Sequence, residues 1–457
     1  MIKEDSANMI EKSFDHHPLI PYDPSVMIYI SAGDVVLPYE YTNWMDEVES
    51  WKDGAYISHS LNPQPTWRIK GPDAIKYLSS VLVNNFEKFP VGTAKHAIMC
   101  NEKGLNMGDG VMLRLDEDEF LFYEMGALYI AHVFEQGNWN AVGEDLTGTK
   151  FMYQIAGPRS LEIIEAAAGK DLHDIRFLHH RKSSIAGVEV NVIRVGMAGS
   201  LAYELHGDAQ YGRVVYNRVL EAGKPLGLKR IGFRSYLMNH TEDGFPQFVI
   251  HFTHPWIVED ENFVAKLKKR GDVIRCNTAC RGSMGPDIRL RFCNPVELGW
   301  ANRISFNHDF VGRAALEKEV ANPRRKMVTL VWNAEDILDI YASKFKPGEP
   351  YANINTPIHN LYDGNGMTLF ADQVLKNGKL IGISSGRLYS YHFRQMLSLC
   401  TIDVEHSDIG NEVIVLWGDP GTKQKEIRAT VSRFPYFNEN RNENIDVNTI
   451  PRLAKYK

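Results

Sequence analysis

The sequence predicts an α+β protein whose C-terminal part is all-β. Two observations carry that reading. As far as about residue 325, short strand patterns are interleaved with helical ones. Beyond it, apolar runs recur between Gly, Pro and Asn turns.

Residues 92–100 (GTAKHAIMC), 110–115 (GVMLRL) and 119–123 (EFLFY) read as strands, with the acidic run 116–118 as a hairpin turn. Helices are predicted at 72–83 and 158–168, each entered through a Gly-Pro pair, where the missing proline N–H costs nothing. Residues 188–195 and 201–205 are again strand-like. Around 257–285 periodicity is lost, and the Lys-rich 265–272 (AKLKKRGD) reads as a surface excursion. Strands follow at 326–332, 379–385, 396–403 and 412–417, and the polar 438–457 reads as a loosely packed tail.

The chain has 457 residues, enough for about two to four domains. Hydrophobic residues make up 44% and charged residues 24%, which rules out wholesale disorder. With 51 Lys+Arg against 57 Asp+Glu the net charge is −6, without the basic stripe of a nucleic-acid binder. No apolar run reaches the ~18 residues that span a bilayer, and the charged N-terminus has no apolar signal core. Five Cys are no disulfide framework, so reduced thiols in a cytoplasmic protein are expected.

Phosphate-loop, HExxH and GxGxxG motifs are absent from the sequence. The stretch 382–386 matches GxSxG at Ser384, but Arg387, Leu388 and Tyr389 lead into another strand, so a β-turn is expected rather than a nucleophile elbow. Cys276 and Cys280 with Cys293 lack the second pair that completes a zinc tetrahedron. His16, His17, His179, His180, His251 and His254 are scattered.

Three segments carry more chemistry. In 101–110 (NEKGLNMGDG) glycines let a backbone approach a ligand, and Asp109 is either an acceptor for ligand N–H groups or a turn Asp bonding its own backbone. In 196–205 (GMAGSLAYEL) Glu204 sits among apolar neighbours, where an acid is costly to bury unless paired; it is an ion-pair partner or a ligand for adjacent donors. In 234–246 (RSYLMNHTEDGFP) Tyr236, Asn239, His240, Glu242 and Asp243 crowd a helix that ends in a turn.

Ser58-His59, 67–74 (WRIKGPDA), 83–85 (VNN), 101–113, 156–160 (AGPRS), 196–205, 294–300 (NPVELGW), 310–316 (FVGRAAL) and 383–386 (ISSG) resemble, in the same order, the aminomethyltransferase (glycine-cleavage T-protein) family. The likeness runs from about residue 35 to 437. It implies a three-domain cloverleaf around a central tetrahydrofolate site: 1–55 with 150–235, 56–149 with 236–322, and a β-barrel-like 323–457. Residues 236–244 look most like the aromatic O-demethylase branch of the vanillate and syringate demethylase type. The family's paired Asp reads Gly108-Asp109, and the second Arg and the Glu of its Arg-x-Ser-Leu-Arg-Leu-Glu stretch are replaced in 234–240, so aminomethyl transfer from a lipoyl carrier is the weaker reading.

The resemblance implies methyl transfer from an aromatic methyl ether to N5 of tetrahydrofolate. The alternatives are one-carbon transfer from a methylenedioxy ring, an aminomethyl or a methyl-sulfur donor, and a folate-binding protein without transfer chemistry. Tyr236 or His59 would serve as the donor at the ether oxygen, and Asp109 would lie near the reactive folate nitrogens. Glu204 would bind the pterin, with Tyr203 and Gln154 as further contacts. Tyr29, His59 and Arg114 would meet the substrate, and no metal, membrane or nucleic acid is called for.

Overall fold

Strands from distant parts of the chain assemble four sheets in the computed structural model, which describes residues 16–32, 35–60, 62–197, 199–272, 276–363 and 366–452. A six-stranded sheet runs His180–Ile185, Val188–Ile193, Ala202–Asp208, Lys150–Ala156, Ala55–Ser58, Leu228–Arg230. Its pairs are antiparallel except the last. The Ser160–Ala168 and Gly212–Gly223 helices pack on it and on each other. From Phe151 to Ala156 every residue is buried, the mark of a strand covered on both faces.

A five-stranded antiparallel sheet runs Ala94–Cys100, Asn106–Asp116, Glu119–Tyr123, Thr66–Lys70, Val142–Asp145. The Met125–Phe134 helix packs on it, and Ala74, Tyr77, Leu78 and Val81 of the Ala74–Val81 helix are buried in the same core. A two-stranded hairpin pairs Ile28–Ala32 with Val35–Glu40.

The C-terminal strands close into a barrel: Gly366–Lys376, Lys379–Ser390, Gln395–Asp403, Arg325–Trp332, Lys425–Ser432, Glu412–Trp417, then back to the first through Val374 opposite Val415. Alternating burial in the last two strands is what a one-sided core produces, and closure removes the unpaired edges.

The elements predicted before residue 206 and in the barrel are present, with bounds shifted by a few residues. Four local expectations change. The 257–285 stretch is not aperiodic: Glu261–Lys269 is a helix, capped by Asp260 and anchored by buried Phe263 and Leu267, one turn apart. The barrel part is not purely β, because Asn333 caps the Ala334–Ser343 helix and Ile337 and Ile340 bury its inner face. GxSxG is neither elbow nor turn; it lies inside the Lys379–Ser390 strand, where Ser384 Oγ donates to Ser398 Oγ at 2.8 Å. The tail is pinned as far as it is described: Arg194 donates to Asn442 Oδ1 at 3.0 Å and to the carbonyls of Asn442 (2.6 Å) and Ile445 (2.8 Å). Among the described residues no helix is long and apolar enough to cross a membrane.

Candidate active site

Both large sheets and the Phe233–Glu242 helix contribute to the lining of a cavity of about 590 Å³. Asp109, Glu204 and Tyr236, which the sequence set 95 and 32 residues apart (204 − 109; 236 − 204), all line it.

Asp109 stands in the Asn106–Asp116 strand, so it is not a turn Asp. Its Oδ2 lies 3.0 Å from His96 Nε2, and Asn106 Nδ2 donates to Oδ1 at 3.0 Å. Ile98 is the partner of Asp109 across the hairpin, so His96 is its diagonal neighbour on the same face. His254 Nε2 approaches Oδ1 at 3.9 Å. Burial works to raise the Asp109 carboxyl, but His96, His254 and Asn106 outweigh it and hold the group below the ordinary carboxylate value. Gly126 lets the Met125–Phe134 helix lie directly on this strand: a Cβ there would come within 2.6 Å of the Asp109 carbonyl oxygen.

Glu204 lies on the Ala202–Asp208 strand opposite Gln154. Tyr123 Oη donates to its Oε2 at 2.7 Å, and His206 Nε2 lies 3.0 Å from the same oxygen. Oε1 has a single contact among the described residues, Gln154 Nε2 at 3.5 Å, and Gln154 is itself oriented by Tyr56 Oη at 2.6 Å. Glu204 is thus no Arg or Lys ion pair; it is a braced carboxylate with acceptor capacity left at Oε1.

Tyr236 sits in the first turns of the Phe233–Glu242 helix. Burial first, then the negative charge of Glu124, pushes its phenol well up, so it stays protonated and keeps an O–H to donate. Its hydroxyl bonds no protein oxygen or nitrogen among the described residues; Met197 Sδ lies at 3.9 Å.

The remaining sequence candidates do not line the cavity. His59 is buried in an aromatic cluster, hydrogen-bonded to Tyr41 Oη and stacked on Tyr216 at 5.2 Å. Burial, then Arg230, lowers it to about 4, so it is neutral at pH 7 and poorly suited to act as an acid. Tyr29 exchanges hydrogen bonds with the Asp23 backbone at 2.8 and 3.1 Å. The Arg114 guanidinium is consumed by the carbonyls of Phe89, Asp116 and Glu117 and the Glu117 carboxylate. Tyr203, next to Glu204 on its strand, turns to the opposite face and is buried in the core. Gln154 stands behind Glu204 rather than on the wall.

Sequence reasoning missed His96 and Tyr123, and set His254 aside among the scattered histidines. Hairpin register could have found His96. Tyr123 meets Glu204 across 81 residues, and His254 meets the Asn106 carbonyl across 148, with no local signal. Cys276, Cys280 and Cys293 form no common ligand set among the described residues.

Comparison with known proteins places the chain in a family. The family model for the GCVT N-terminal domain matches residues 37–253. A sesamin methylene transferase of Sinomonas sp. is 44% identical over 93% of this chain and 96% of its own length. This chain belongs to the GCVT family. It is a folate-dependent one-carbon transferase, with tetrahydrofolate as cofactor. A syringate O-demethylase of Sphingobium sp. is 29% identical over 88% of this chain and 90% of its own. The crystal structure of the glycine cleavage system aminomethyltransferase T from Bartonella henselae shares the fold, with a TM-score of 0.66 at 15% identity, covering 91% of this chain and 96% of that one. The GCVT cavity fits a pterin: the spare acceptor Oε1 of Glu204 suits neighbouring N–H donors, and Phe177, Phe245 and Phe248 offer ring faces.

Proposed function

We propose that this GCVT-family protein takes its one-carbon unit from an aromatic ether, and that the donor is a neutral arene carrying a methylenedioxy bridge, released as a catechol. The observation that carries the reading is a single cavity holding a braced acceptor (Glu204), an ionised acid (Asp109) and a protonated phenol with an O–H to donate (Tyr236). Val35, Leu37, Phe233, Leu361, Tyr362 and Met367 add an apolar wall beside Tyr236, with Phe233 and Tyr362 stacked at 5.7 Å. That wall suits a donor without a carboxylate. Arg114, the cation expected to meet one, is engaged elsewhere. The 44% identity to a methylene transferase favours methylene over methyl transfer; the 29% identity to an O-demethylase keeps methyl transfer as the second reading.

Bound tetrahydrofolate supplies the nucleophilic amine that accepts the one-carbon unit. Glu204 would hold the pterin through Oε1. Tyr236 Oη would donate to the departing aryl oxygen, a contribution of about 10²–10⁴-fold. The apolar wall beside Tyr236 lowers the local dielectric and so strengthens that bond.

The test is anaerobic incubation with tetrahydrofolate and a panel of methylenedioxy- and methoxy-arenes, with and without carboxylates. A catechol with 5,10-methylenetetrahydrofolate from a neutral methylenedioxy compound is expected. A phenol with 5-methyltetrahydrofolate would transfer the assignment to the second reading, and no product from either class would end the aromatic one.

A further inference from the structure

We propose that His254 Nε2 is the proton acceptor that works beside Asp109 during one-carbon transfer, an inference that rests on the function proposed above. His254 lines the cavity and is 1% exposed. Its Nδ1 lies 3.0 Å from the Asn106 carbonyl oxygen, which can only accept, so the proton sits on Nδ1 and the lone pair on Nε2. Phe248 stacks on the ring at 4.4 Å and 14°, and Phe252 meets it edge-on at 5.4 Å, which holds its plane. Nε2 makes no protein hydrogen bond among the described residues, although Asp109 Oδ1 is only 3.9 Å away. At that distance the carboxylate makes no hydrogen bond to Nε2 but is close enough to stabilise an imidazolium electrostatically. Burial lowers the His254 imidazole and keeps it neutral at rest, while the Asp109 carboxylate stabilises the charged form once a proton arrives.

The neighbouring groups do not compete for this role. His96 also lines the cavity, but its Nε2 is engaged with Asp109 Oδ2 and its Nδ1 is buried with no hydrogen-bond partner among the described residues. Tyr236 keeps its proton at neutral pH and serves as a hydrogen-bond donor, not as the base. The charged group facing His254 is Asp109, with His96 behind it; Phe248, Phe252 and Trp256 on its other sides are apolar.

The chemistry balances without a redox partner. As a C–N bond forms, one C–O bond of the donor breaks and its electron pair stays on the aryl oxygen. His254 Nε2 takes the proton that the nitrogen must lose and then passes it through the cavity to the aryl oxygen, which Tyr236 stabilises by its hydrogen bond, so the imidazole is neutral again before a second C–O bond breaks. One proton moves from nitrogen to oxygen for each C–O bond broken.

Nitrogen-15 NMR of histidine-labelled protein, with the His254 signals assigned by their loss in His254→Gln, reads the tautomer directly. An Nδ1–H, unprotonated Nε2 ring at pH 7 is expected; an Nε2–H ring would overturn the proposal. His254→Gln should bind tetrahydrofolate within about threefold of wild type, lose about 100-fold or more in kcat, and lose the acid limb of the kcat–pH profile. A kcat within about fivefold of wild type, with the acid limb intact, would also overturn it. Should the variant not fold, the site-directed assignment passes to His254→Asn, and the wild-type tautomer still decides. A wild-type protein silent on the whole arene panel would instead discredit the proposed function.

Discussion

Tyr123 Oη donates to Glu204 Oε2 at 2.7 Å, joining the last residue of a strand in the five-stranded sheet to the middle of a strand in the six-stranded one. The bond aims the carboxylate into the cavity and leaves Oε1 for a ligand. Glu204→Gln keeps the shape but loses the charge-assisted bonds. It should weaken tetrahydrofolate binding by about 1.5–3 kcal/mol, or roughly 10–100-fold in Kd by calorimetry. Tyr123→Phe removes only the brace and should cost about 1 kcal/mol.

Tyr236→Phe deletes the donor while keeping the ring against His240, 5.6 Å away. Tetrahydrofolate affinity should hold within about twofold while kcat falls about 100-fold or more, because the bond is realised as charge grows on the leaving oxygen. Equal losses in binding and kcat would mean a packing role.

Two buried histidines should contribute less to stability on mild acidification. His59 and His240 are buried and lowered to about 4, below the ordinary value of 6.5. Between those values the unfolded chain binds more protons than the folded one. The stabilisation is therefore complete above pH 6.5 and is lost as pH falls towards 4, on the order of 3 kcal/mol for each histidine. Melting curves of wild type and His59→Phe from pH 8 to pH 4.5 isolate the effect: the wild type should lose more melting temperature over that range than the variant. Asp109 adds nothing in this window: its lowered carboxyl contributes stability above the ordinary carboxylate value and loses it only as pH falls through the still lower folded one.

Arg194 is buried and holds the C-terminal segment through Asn442 and Ile445. Arg194→Met should destabilise the protein by about 3 kcal/mol and open residues 441–452 to limited proteolysis. Proteolysis at the wild-type rate would show that the segment is held by other contacts.

Much of the scaffold was legible in local pattern. The 119–123 strand, the acidic hairpin turn and the barrel strands follow from alternation and turn chemistry, which operate over a few residues. Asp109, Glu204 and Tyr236 stood out for the same reason: a carboxylate beside glycines, an acid in an apolar strand, a polar cluster closing a helix. Their convergence in one cavity was not written in any such window. Nor was the diversion of Arg114 into its own hairpin, the burial of His59 against Tyr216, or the meeting of Asp109 with His254. Strand periodicity says which face a residue takes but not which distant element covers that face. The covering element sets whether a side chain meets a ligand, a carbonyl or the core, and that assignment belongs to packing between sheets that the chain builds from segments 81 to 148 residues apart.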